Sequence, residues 1–146
     1  MEVTFEQVTV EEVAEGGGAD IDVDTWHISS QKMYTTGLNT CYAIGLYGKT
    51  SSGVEQMLLC HAAATFGGGD GENAVRMLID KFGVEQNSLV IVVVAGSKPC
   101  RQYFEAKELA NFSFEPQFTP PPGDDDWNVE VAMLPDGTVQ WAPLPW

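Results

Sequence analysis

Cys41-Tyr42-Ala43-Ile44-Gly45-Leu46-Tyr47-Gly48, the turn Lys49-Thr50-Ser51-Ser52-Gly53, and Val54-Glu55-Gln56-Met57-Leu58-Leu59-Cys60-His61 decide the fold. Ser51-Ser52-Gly53 is turn chemistry between two apolar runs of strand length, which predicts a β-hairpin. Side chains alternate along a strand, so Val54, Gln56, Leu58 and Cys60 share one face. Glu55, Met57, Leu59 and His61 share the other. Hairpin pairing sets the start of the first strand beside the end of the second. Cys41 and His61 are thereby expected together at one rim of the sheet.

Downstream, Thr65–Gly71 is a glycine-rich loop in which Asp70 is a suitable helix N-cap. Ala74, Val75, Leu78, Ile79 and Phe82 then recur at helical spacing, and Gly83 sits where a helix stops. Leu89–Ala95 is apolar and rich in β-branched residues, which predicts a central strand buried on both faces. Ser97 and Pro99 are suited to open a second helix running to about Ala110. Thr119–Asp126 is a stiff charged connector. Trp127–Leu134 and Thr138–Ala142 flank Pro135-Asp136-Gly137 as a closing hairpin.

Upstream, Met1–Val10 reads as an opening strand, Glu11–Asp24 as a surface loop and Trp26–Ser29 as a short strand. Lys32–Thr36 leads into a tight bend at Gly37. The expected class is α+β: a mostly antiparallel sheet or sandwich with two helices packed against it, in one domain spanning 1–146.

The chain is 44% apolar and 19% charged, which fits a globular protein rather than a disordered one. Its net charge of −14 disfavours polyanions, so neither nucleic acid nor an anionic membrane is an expected partner. Residues 1–31 carry eight acids and no Lys or Arg, an asymmetry that suits either solubility or the steering of a basic partner. The N-terminal residues lack the basic and apolar segments of a secretory leader. Three cysteines without C-x-x-C spacing indicate neither a disulfide framework nor a zinc ribbon.

The search for a nucleophile and base is short. Cys60 points away from its neighbour His61 and reads as a small core residue. Cys100 follows Pro99 and reads as a surface thiol. Cys41 stands just after Gly37-Leu38-Asn39-Thr40, where backbone amides near the sulfur would suit an oxyanion hole. With His61 beside it, the pair is either a nucleophile with its base or a cross-strand pair packed for shape. His27 reads as a structural hydrogen-bonder.

Thr35-Thr36-Gly37-Leu38-Asn39-Thr40-Cys41 resembles the Thr-x-Gly-Leu-x-x-Cys stretch of the CheD family, bacterial chemoreceptor glutamine deamidases. Its Leu-x-x-Cys part also resembles the toxin deamidases cytotoxic necrotizing factor and Burkholderia lethal factor. Asp70–Gly83, Val92–Gly96, Arg101–Ala110 and Val129–Trp141 resemble the family's later elements. Asn39 and Thr40 depart from it, standing where the family has Gly and Ser. The resemblance implies a catalytic set of Cys41, His61 and Thr35, with Leu38, Asn39 and Thr40 forming the oxyanion turn and no cofactor or metal. It implies hydrolysis of a glutamine carboxamide on a partner protein, in a bacterial cytoplasm or in a host cell reached without a cleavable leader. Transglutamination at the same site, or a catalytically silent module that binds through its acidic face, fits the same residues.

Overall fold

The computed structural model describes residues 2–38, 41–63, 71–84, 88–95, 117–118 and 127–145. Within them, β5 (Tyr42–Lys49) and β6 (Glu55–Ala62) pair in antiparallel register from Tyr42↔Ala62 to Lys49↔Glu55. This hairpin is apolar on both faces, so each face needs a covering layer, and each has one. On one side lies α2 (Gly71–Phe82), whose Ala74, Val75, Leu78 and Phe82 pack with Tyr42, Ile44, Leu46, Leu58 and Cys60. On the other lies a second sheet, which meets Ala43, Tyr47, Met57 and Leu59 through Met33, Leu38, Val131, Met133 and Val139.

The hairpin belongs to a five-stranded sheet of order β3-β6-β5-β7-β8, with β3 at Thr25–Ser29, β7 at Val90–Ala95 and β8 at Gln117–Phe118. The facing sheet has the order β1-β10-β9-β4-β2. Its strands are β1 (Thr4–Gln7), β2 (Ala19–Asp20), β4 (Met33–Leu38), β9 (Trp127–Met133) and β10 (Thr138–Pro145). Pairing is antiparallel except at β1/β10, β2/β4 and β7/β8. The architecture is α+β in helix–sheet–sheet layers, as expected. Gly83 adopts φ 67° after α2, the left-handed stop that glycine tolerates best.

Two upstream expectations need correction. The segment 11–24 is not a plain loop. Thr9 caps a short helix, α1 (Val10–Ala14), accepting from the Glu12 amide at 3.3 Å, and Val13 is fully buried against the outer face of the second sheet. Lys32 donates to the carbonyls of Glu15 and Glu12 at the helix's far end. Beyond α1, Ala19–Asp20 pairs with β4. Nor does the chain turn tightly at Gly37. Met33–Leu38 is a strand with a register shift between Thr35 and Leu38, and Gly37 takes φ 75° there. This bulge lets Thr35 and Leu38, three residues apart, both face the interior. The expected second helix, the 65–70 loop and the 119–126 connector lie outside the described residues.

Candidate active site

Thr35 and His61 come from different sheets and meet between them. Thr35 lies on β4 and is fully buried; His61 lies near the end of β6 and is 3% exposed. Thr35 Oγ1 is 2.7 Å from His61 Nδ1 and 2.6 Å from the carbonyl oxygen of Ile21. A hydroxyl has one proton, and a carbonyl can only accept. Thr35 therefore donates to Ile21 and accepts from Nδ1–H of His61. With the opposite tautomer, three lone pairs would share one proton and one close contact would be repulsive. Neutral His61 thus carries its lone pair on Nε2. That atom is buried and has no hydrogen-bond partner among the described residues.

Cys41 precedes β5 by one residue. Tyr42 pairs with Ala62 and Ala43 with His61, so alternation places Cys41 on the same face as His61, one step diagonal to it. Strand geometry sets such diagonal Cβ atoms about 7 Å apart, a gap an aromatic ring spans in large part. Cys41 packs against the inter-sheet cluster yet stays partly exposed. Its thiol is not hydrogen-bonded to Nε2.

Burial lowers the pKa of His61 from its ordinary value. The carboxylates of Asp24, Asp20 and Asp22 oppose this by favouring the imidazolium. The site therefore holds the imidazole neutral, as a base requires, yet offers three negative charges to the cation that proton uptake creates. Cys60, the sequence neighbour, lies across the sheet in the sealed cluster beneath α2. Burial first, and Asp24 second, push its thiol up to about 12. It cannot ionise at neutral pH.

Of the residues expected to form an oxyanion turn, only Leu38 is described: its side chain is fully buried core and its backbone pairs with Val129. Asn39 and Thr40, like Cys100, lie outside the described residues. His27 is exposed on edge strand β3, paired with Leu59 and apart from Thr35. Among the described residues no cluster of His, Cys, Asp and Glu could hold a metal ion. No described helix is long and apolar enough to cross a membrane.

Two participants escaped the sequence reading, the Ile21 carbonyl and Asp24. The Asp24 amide donates to the His61 carbonyl at 2.6 Å, and Asp24 Oδ1 accepts from the Ala63 amide at 3.0 Å. Nothing in a sequence marks a particular carbonyl. The alternation Asp20-Ile21-Asp22-Val23-Asp24 was nonetheless a legible sign of extended structure with Ile21 turned inward, and Ile21 is 5% exposed. No protein-family model and no curated protein matches the chain.

Proposed function

We propose that this chain is a cysteine-dependent protein-glutamine deamidase in which Cys41 is the nucleophile, His61 the base and Thr35 the residue that orients the base. One observation carries the reading most. A buried threonine, its own proton committed to Ile21, fixes the tautomer that leaves Nε2 as the free base on the face that also bears Cys41. A cysteine and histidine packed only for shape have no need of such a lock. The likeness of Thr35–Cys41 to the deamidase motif supports the same three residues.

In the reaction, Nε2 takes the Cys41 proton and the thiolate attacks the carbon of a glutamine carboxamide. A carbon–sulfur bond forms, and the oxygen bears the charge that amides of the 38–41 segment would hold. Collapse breaks the carbon–nitrogen bond, while the imidazolium gives its proton to nitrogen and ammonia leaves. Water then attacks the thioester, surrendering a proton to Nε2. The carbon–sulfur bond breaks, glutamate is released, and the imidazolium returns its proton to the Cys41 sulfur. The balance is glutamine plus water to glutamate plus ammonia, with no redox change. A positioned base of this kind is worth roughly 10²–10⁴-fold, and Asp20, Asp22 and Asp24 favour the imidazolium of each charged intermediate.

The test is incubation with a panel of glutamine-bearing proteins, reading ammonia release and a mass gain of one dalton on glutamine. Wild type is expected to give both and Cys41→Ala neither. Equal activity in Cys41→Ala would reject the assignment. Incorporation of a labelled amine instead of water would make the enzyme a transglutaminase.

A further inference from the structure

The segment from β2 to β3 has a role that the Cys41–His61–Thr35 set does not include. Its two ends belong to different sheets: Ala19–Asp20 pairs with β4, and Thr25–Ser29 pairs with β6. Between them the chain crosses at the end of the sandwich where Thr35 and His61 meet. Ile21 is tied by its amide to the Tyr34 carbonyl at 2.9 Å and offers its own carbonyl to Thr35. Thr25 closes the crossing by donating to the Asp22 carbonyl from both its amide and its hydroxyl. Val23 forms an isolated parallel bridge with His61.

Asp24 is the unusual member. It adopts φ 58°, the only left-handed non-glycine among the described residues. That conformation is unfavourable for an ordinary residue and persists where the surroundings enforce it. Here the enforcement is a pair of hydrogen bonds to the two peptide groups that follow the histidine. The Asp24 amide holds the His61 carbonyl and its carboxylate holds the Ala63 amide. Glycine would satisfy the backbone more cheaply, and asparagine would serve Ala63 equally well. Only the negative charge is particular to aspartate. We propose that Asp24 is a positioning residue for His61, clamping the end of β6 while its carboxylate stabilises the imidazolium.

This rests on the reading of His61 as the base. The groups around the imidazole are Asp20, Asp22 and Asp24 on the crossing segment, Thr35 on β4, Thr25 on β3 and the Cys41 thiol before β5. Asp24 acts on the ring more strongly than Asp20 or Asp22. It is also the one of the three that hydrogen-bonds the strand bearing the histidine.

The experiment compares wild type, Asp24→Asn and Asp24→Gly. The His61 ring is followed by nitrogen-edited NMR (with His61→Gln to assign it) and Cys41 by the pH profile of iodoacetamide alkylation. Asp24→Asn keeps the acceptor for Ala63 and tolerates the left-handed backbone, so its Tm should stay near wild type. Its His61 midpoint should fall by about 0.3–1 pH unit, the size expected for losing one neighbouring carboxylate. Cys41 alkylation on the acid limb should change by roughly two- to tenfold in step with it. Asp24→Gly keeps the backbone but loses both acceptor and charge. It should show the same midpoint shift, with faster hydrogen exchange at Ala63. Unchanged midpoints in both variants would overturn the proposal. A shifted midpoint that Cys41 reactivity does not follow would uphold the placement of Asp24 while rejecting His61 as the base of Cys41. The two failures are therefore distinguishable.

Discussion

Cys60 and His61 are consecutive on one strand and live in different chemistries. Cys60 faces α2 in a predominantly apolar cluster, sealed and un-ionisable at neutral pH. His61 faces the other sheet. There the apolar packing of Met57 and Leu59 gives way to a buried threonine, a backbone carbonyl and three carboxylates. A single step along a strand changes the surroundings this far because successive side chains leave opposite faces. Nearness in sequence is thus the wrong guide to partnership. Cys41, twenty residues away, shares the histidine's face; Cys60 does not.

The sharpest way to break this contrast is to label the two thiols. Near neutral pH, iodoacetamide should modify Cys41 at least about 10²-fold faster than Cys60, given the exposure of one and the raised pKa of the other. Peptide mass spectrometry reads both in one sample. An inert Cys41 would favour the catalytically silent module, and a rapidly labelled Cys60 would refute the sealed face.

Thr35→Val comes next. It leaves the Ile21 carbonyl and His61 Nδ1–H buried without their partner, which should destabilise the fold by about 1–3 kcal/mol in denaturant titrations. With its tautomer no longer fixed, His61 should also support slower Cys41 alkylation. Thr35→Ser should recover most of both. A fully stable and reactive Thr35→Val would reduce Thr35 to a space-filling residue. Stability should also depend on His61 with a definite sign. Burial sets its folded pKa below that of the unfolded chain, near 6.5. Above that value both states are neutral and the group contributes no slope. Below it, the unfolded chain binds a proton that the folded protein does not, and stability falls until the folded pKa is reached. Between about pH 7.5 and pH 5.5, wild type should lose more Tm than His61→Gln does over the same interval. Parallel curves would contradict a buried neutral imidazole.

The hairpin was legible because its physics is local. Two apolar strands, a serine–glycine turn and parity sufficed to place Cys41, Cys60 and His61 on their faces. The pairing of Thr35 with His61 was not local. It depends on how far apart two sheets sit and on a bulge at Gly37 that returns Leu38 to the core. Only the motif resemblance pointed to Thr35. The crossing segment was the least legible. Its glycines and acids read as solvated loop, whereas its hydrogen bonds go to residues in both sheets that only the fold brings near. Polarity predicted its exposure correctly and its order wrongly: Asp20, Asp22 and Asp24 are exposed side chains on a backbone that is tied down.

Those exposed acids give the smallest expected effect, and it sharpens the same contrast. They surround the histidine's end of the strand, so the field there should be negative, while Cys60 sits behind the sheet out of reach of reagents. A cationic methanethiosulfonate should modify Cys41 several-fold faster than its anionic counterpart at low ionic strength. The ratio should fall toward unity as salt shortens the Debye length to about 3 Å at 1 M. Replacing Asp20 and Asp22 together by Asn should reduce the low-salt ratio while leaving the clamp at Asp24 intact. A ratio near unity at all salt concentrations would mean that the acids serve solubility alone. For the proposed deamidase, a salt-sensitive preference would instead favour target glutamines whose neighbours are Lys or Arg, because the charge that draws a cationic reagent to Cys41 would draw a basic segment there too.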